Sequence, residues 1–366
     1  MKFTCEKALL QSAISISSRA VSPKSSITAL EGILVNATDE LRLTGYNLST
    51  GIRTIVPADV TEPGTLVLSA HLFGDIIRRL ADDVVSVSTE NNMVNIKCGM
   101  SEFNLIGASP AEFPELPNVE KNQGIKLSCK LLRSMIDHTV FAVSDNENKP
   151  IHTGSLFEIT GNQLTVVSVD GYRLAILKRP FKAEKDIRII IPSKTLTEVN
   201  KLIGDEDEEV QINANRQFVV FSTAKGYTIL SRLIVGEFLN YEKALPAGCK
   251  TSALIDTREF IDCIERASLV ITERLKDPLR IRFEDGKVTV NCKTSLGKVE
   301  DEFPAVVEGE PQEIGFNNRY LLDALRASGC AQVRMEMNGP LSPVKILPPD
   351  GEDFIYLVLP IRFKNE

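Results

Sequence analysis

Apolar residues recur along this chain in two alternating rhythms. A short stretch with every second residue apolar gives way to a residue able to cap a helix, then to a run with apolar positions three and four apart. The motif is repeated six times, in "KFTCEKALL", "LVLSAHLFGDII", "IKLSCKLLRSMI", "IIIPSKTLTEVNKLI", "ALIDTREFIDCI" and "IGFNNRYLLDAL". The expected caps are Thr4, Ser69, Ser128, Ser193, Asp256 and Asn317, spaced by 65, 59, 65, 63 and 61 residues. Each can accept a hydrogen bond from an amide that the first turn leaves unpaired. The pattern predicts helices over 5–21, 70–81, 129–143, 194–203, 257–271 and 318–328. Alternating segments with Gly, Asp or Asn turn signals follow, as in "LEGILVNATDELRLTGYN" and "LRIRFEDGKVTVNC". They predict about three antiparallel strands after each helix.

Odd and even units differ in detail. Cys5 recurs as Cys129 and Phe113 as Phe238, at offsets of 124 and 125, so the period is a pair of units. The expected fold class is α+β, with three similar domains, each of two helices packed on antiparallel sheets. Their expected spans are 1–122, 123–248 and 249–366, with boundaries in the polar or glycine-bearing stretches "EKNQG" and "PAGCK". A chain of 366 residues exceeds one ordinary core, which agrees with several domains.

Charge refines the picture. The net charge is −7, which on its face speaks against a nucleic-acid partner. The predicted helices nevertheless hold twelve basic and eight acidic residues, a net of +4, and the remainder carries −11. Equivalent helices that turn their polar faces to one side would offer a weakly positive surface to a polyanion, by phosphate contacts that carry no sequence information. Seven cysteines without a CxxC pair and three histidines without ligand spacing predict reduced buried thiols, no metal and no other cofactor. No GxSxG, P-loop or GxGxxG occurs, which argues against an enzyme. No apolar run is long enough to span a membrane, and Glu6 and Lys7 interrupt the place of a signal peptide, so a cytoplasmic location is expected. The end, "FIYLVLPIRFKNE", reads as a last core strand. Pro360 cannot donate to a ladder, so the final residues should lie at an edge or leave the sheet, which opens room for a surface groove.

Three stretches add a family resemblance: "MKFTCEKALL" at the start, "VDGYRLA" from Val169 to Ala175, and "YLVLPIR" from Tyr356 to Arg362. On these the chain resembles the bacterial DNA polymerase III beta subunits, the sliding clamps, over essentially all of its length. The resemblance implies a DNA clamp fold and a head-to-tail, ring-forming homodimer around double-stranded DNA, helices inside and sheets outside, with no catalysis. Such a processivity factor tethers the DNA polymerase III alpha subunit, the clamp loader, other polymerases and repair proteins through short linear motifs. By position, the peptide groove would be lined by Gly171, Tyr172, Arg173 and Leu174 on one wall. The other wall would hold Leu341, Val344, Val358, Leu359, Pro360, Ile361 and Arg362. The DNA contacts carried over are Lys24, Arg78 and Lys194, and the subunit contact sets Phe103 and Leu105 against Leu269 and Val270, with ion pairs from the acidic stretch 299–302. His71, His152 and Pro343 depart from the residue types expected at their places, and residues 364–366 extend past the usual end. The rival reading is a monomeric, DNA-independent peptide-binding repeat scaffold.

Overall fold

The computed structural model describes residues 1–120, 124–183, 185–272 and 277–363. The boundary expected at 122 and the tail 364–366 lie outside the described residues. Within them the helices are α1 (Lys7–Ser18), α2 (Ala70–Arg79), α3 (Cys129–Asp137), α4 (Ser193–Leu202), α5 (Thr257–Ser268) and α6 (Asn318–Ser328). One strand precedes each helix and three strands of a module follow it, so six strand–helix–three-strand modules stand in the chain. Short extra strands, Asp59–Glu62 and Val306–Gly309, join the first and fifth modules.

The hydroxyl or side-chain oxygens of Ser69, Ser128, Asp256 and Asn317 accept from the amides of Leu72, Leu131, Glu259 and Arg319 at 3.4, 3.2, 2.9 and 3.0 Å. Two expected caps fail. Thr4 lies inside the strand Lys2–Glu6, and α1 begins after Glu6, whose side chain caps no amide. Ser193 is already the first helical residue of α4. The predicted helices of the odd modules also run too long. Ser18, Thr139 and Ser268 return their hydroxyls to the carbonyls of Ile14, Met135 and Ile264, each at 2.6 Å, four residues back. Such back-bonding competes with continuation of the helix, and α1, α3 and α5 stop at or just before it. The observed helices hold eleven basic and seven acidic residues, which leaves the net at +4.

Modules pair by exchanging their first strands. Lys2–Glu6 of the first module joins Val84–Glu90 of the second, and Gly64–Ser69 of the second joins Gly32–Ala37 of the first. The same exchange links Ile125–Ser128 with Glu209–Ala214, Ile187–Pro192 with Gly154–Thr160, Thr251–Asp256 with Gln332–Met337, and Gln312–Phe316 with Leu279–Glu284. A single module cannot complete its sheet alone, which is why the sequence repeats as a pair.

The chain forms two compact units, Met1–Leu132 with Thr195–Leu233, and Arg133–Lys194 with Ile234–Glu366. In the first, a five-stranded sheet ends at Ser101–Ile106, and an eight-stranded sheet runs across the join between Thr228–Arg232 and Thr50–Val56, with Ile229 opposite Ile52. In the second, a nine-stranded sheet is joined the same way, Arg173–Pro180 against Phe354–Val358 with Leu174 opposite Leu357, and a four-stranded sheet ends at Gly297–Pro304. All these pairings are antiparallel. The recurring phenylalanines cover the two joins. Phe113 packs in a buried cluster with Tyr46, Phe218 and Leu230, and Phe238 in one with Leu174, Ile176 and Leu357. At the first join the connecting segment comes so close that a Cβ on Gly51 would stand 2.9 Å from a methyl of Leu116.

Candidate functional site

The strand Phe354–Val358 lies between Arg173–Pro180 and Val344–Leu347, and all five of its residues are buried. Burial of residues pointing to both faces accounts for the uninterrupted apolar run. The chain then leaves the sheet. The Leu359 amide donates to the Tyr172 carbonyl at 2.9 Å, Pro360 has no amide hydrogen to offer, and the Ile361 amide donates to the Gly315 carbonyl at 2.8 Å, on the edge strand of the four-stranded sheet. Pro360 thus marks the crossing from one sheet to the other. A Cβ on Gly315 would collide with the Ile361 carbonyl, so this docking requires glycine.

Opposite the crossing sits the turn Asp170–Arg173. One carboxylate oxygen of Asp170 accepts from the amides of Tyr172 and Arg173 at 2.7 and 2.9 Å, and Gly171 takes a φ of 97°, which favours glycine. Arg173 points inward. Its Nε donates to Asp170 at 3.0 Å and its Nη1 to Asp323 at 2.5 Å, while the guanidinium carbon stands 4.7 Å from the Tyr320 ring centre and 5.6 Å from that of Phe141. Tyr172 stacks on Tyr320 with centroids 6.0 Å apart and planes 20° from parallel. Burial, and after it the charge of Asp170, raises the Tyr320 phenol above its ordinary pKa.

Several residues expected on the groove walls are buried: Leu174 is 3% exposed, and Val344 and Val358 are 0%. They alternate into the sheet interior, where Val344 lies opposite Val358. Arg173, with its side chain 12% exposed, is a support beneath the surface. The exposed apolar groups are Tyr172, Leu341 and Leu359, with Pro360 and Ile361 half-buried and Arg362 exposed. Leu359 meets Tyr172 through the backbone, and Leu341 stands on the turn just before Val344. Sequence reasoning missed Tyr320 and Asp323, whose three-residue spacing on α6 puts both on one helix face, and Phe141. His152 is half-buried with its ring edge-on to Phe238 at 6.5 Å, and burial lowers its pKa.

The basic candidates separate. Lys24 is exposed in a loop, and Arg78 in the last turn of α2 pairs with Asp75 at 2.5 Å; both belong to the first unit. His71, largely exposed, stands 3.7 Å from the same Asp75. Lys194 belongs to the second unit, is almost fully exposed, and lies 4.0 Å from Glu147. Arg19, just past α1, pairs with Glu198 at 2.9 Å. Of the subunit-contact candidates, Phe103 and Leu105 lie on Ser101–Ile106, where Phe103 is exposed, Leu105 packs against the core, and the neighbouring Ile106 is 83% exposed. Leu269 is exposed and Val270 half-buried. The acids of 299–302 are already engaged within the chain: Glu300 with Lys298, Asp301 with Arg266, Glu302 with Lys287. Among the described residues no helix is long and apolar enough to cross a membrane, and no group of three or more His, Cys, Asp or Glu is placed to hold a metal.

Comparison with known proteins converges. Residues 1–117 match the N-terminal domain of the DNA polymerase III beta subunit, 126–240 its central domain and 242–362 its C-terminal domain. The beta sliding clamp of Bacillus subtilis is 32% identical over 99% of this chain and 100% of its own length, and that of Staphylococcus aureus is 33% identical over 99% of both. The crystal structure of the B. subtilis DNA polymerase sliding clamp superposes with a TM-score of 0.96 at 31% identity, covering 100% of both chains. A sliding clamp of Pseudomonas aeruginosa, solved bound to griselimycin, superposes at 0.94 with 26% identity over 99% of this chain and 100% of that one. With three successive domain matches laid on six modules in the same order, the chain belongs to the bacterial DNA polymerase III beta subunits, the sliding clamps.

Proposed function

We propose that this protein is the processivity factor of the replicative DNA polymerase, a homodimeric ring that encircles double-stranded DNA and slides along it. One observation carries the reading. In four of the six modules the third strand is paired to the third strand of another module: first with fourth, and third with sixth. Only the third strands of the second and fifth modules, Ser101–Ile106 and Gly297–Pro304, end their sheets. The rule that pairs the others pairs these two with each other between two copies, head to tail, which removes both open edges and closes a ring under two-fold symmetry. Phe103, Leu105 and Ile106 of one copy then meet Leu269 and Val270 of the next, and the seam is apolar and backbone-bonded.

Duplex DNA passes along the helices, touched by Lys24, Arg78 and Lys194 through weak, salt-dependent phosphate contacts. Retention is topological, so no contact needs to be tight and no chemistry is catalysed. The surface of Tyr172, Leu341, Leu359 and Pro360, supported from below by Leu174, Val344 and Val358, receives short linear motifs of the DNA polymerase III alpha subunit, the clamp loader, other polymerases and repair proteins. The protein works in the cytoplasm.

Loading the protein on nicked circular DNA and then linearising it tests the reading. Release on linearisation, blocked when the DNA ends are capped by bulky adducts, is the expected result. Retention that ignores the cut would replace encirclement by adhesion.

A further inference from the structure

On the solvent face of the four-stranded sheet lies a second hollow, of about 610 Å³, bounded at one end by the tail Ile361–Phe363. It gathers positive charge in the part of the chain that is otherwise strongly negative. Arg280 and Arg282 stand two apart on one strand and so point to one face, and Arg362 closes the far side. Lys293 lies directly opposite Lys298 across the hairpin. Like charges so placed repel and weaken the hairpin, unless something negative sits over them. Lys298 turns to Glu300 at 2.7 Å, whereas Lys293 and Arg362 have no acidic partner among the described residues. Arg280 is set in place, its guanidinium 4.2 Å from the ring centre of Phe363, with Glu313 at 3.8 Å.

We propose that this hollow is a docking site for an acidic protein segment, a stretch with several Asp or Glu side chains, distinct from the apolar surface around Leu359. Charge complementarity names the occupant. Among the described residues five cations line the hollow, Arg282 being paired to Glu284 at 2.5 Å, and Asp277, Glu300 and Glu313 are interspersed among them. A continuous polyphosphate chain would run over those carboxylates, while separate side-chain carboxylates can settle on the cations between them. The tail links the two places: Leu359 and Pro360 flank the apolar surface and Ile361 to Phe363 the hollow, so one partner carrying an apolar anchor followed by acids can occupy both.

The test uses full-length protein and a fluorescein-labelled hexaglutamate peptide, read by anisotropy at 50 and 300 mM NaCl, with a labelled duplex oligonucleotide in parallel. Binding at 50 mM salt that weakens severalfold at 300 mM is expected. Lys293→Gln with Lys298→Gln should weaken it a further three- to tenfold, in line with two lost, partly screened contacts. Both lysines are exposed, and with the repulsion relieved the thermal midpoint of the double variant should stay level or rise. No binding of hexaglutamate up to millimolar peptide, equal binding by wild type and variant, or a variant that loses the duplex but keeps hexaglutamate would each overturn the proposal. Lys298 lies on the strand Gly297–Pro304 of the proposed seam, so the oligomeric state of the double variant is measured alongside and should match wild type, while encirclement is read separately by the linearisation experiment on the wild-type protein.

Discussion

Arg173 separates two ways of building the peptide surface, and its removal tells them apart. As a wall residue it would contact the partner and leave the fold unaffected when cut back. As the support described above, Arg173→Ala removes the shared partner of Asp170 and Asp323, whose side chains are 10% and 38% exposed. Stranding a carboxylate of a buried pair costs about 3–5 kcal/mol. Asp323 is partly open to solvent and Asp170 keeps two backbone donors, which puts the ionic part at about 2 kcal/mol. Loss of the face of Tyr320 adds about 0.5–1 kcal/mol. The sum, about 3 kcal/mol, corresponds to roughly a hundredfold more frequent local opening. Native-state hydrogen exchange in Arg173–Pro180 and Phe354–Val358 reads it directly and needs no two-state assumption for a chain of two units. Arg173→Lys, which keeps charge but loses the planar fork, should lie between. Protection unchanged in Arg173→Ala, with partner binding lost, would refute the reasoning and restore Arg173 to the wall.

Three further outcomes follow. On the proposed function, Leu359→Ser should weaken co-elution with a DNA polymerase III alpha subunit while shifting stability by less than about 0.5 kcal/mol, whereas Val358→Ser, fully buried, should lose about 2–3 kcal/mol in urea titration. Gly315→Ala should free the tail, seen as faster exchange of the Ile361 amide and quicker trimming by carboxypeptidase, with the sheet core unaltered. Burial holds His138 and His152 below their ordinary 6.5, so between the folded and unfolded values the unfolded chain binds more protons. Stability should therefore be complete above about pH 6.5 and fall as the solution is acidified through that window, and His138→Gln should flatten the fall in urea midpoints measured from pH 7.5 to 5.

The repeat, the order of elements and four of six caps were legible in the sequence because each depends on local spacing: a capping side chain, a 3.6-residue period, an alternating strand. What escaped was contact between distant segments. Nothing local in these third strands reveals that 228–232 seeks 50–56 while the outer edge of 101–106, paired on its other side to 93–98, stays open among the described residues. Burial around the expected groove was equally hidden. Leu174, Val344, Val358 and Leu359 are all apolar and close to the same turn, and only the pairing register decides which of them point into the interior. Arg173 was assigned by position, and its carboxylate partner Asp323 lies 150 residues away, beyond any spacing argument.

The continuous sheets have a practical consequence for anyone dissecting this molecule. Clipping out the N-terminal domain at its family limit would strip Thr50–Val56 of its neighbour and bare the oily patch around Tyr46 and Phe113. Such a fragment would carry a ready template for self-association, and its misbehaviour in solution would report the position of the scissors rather than the properties of the native protein.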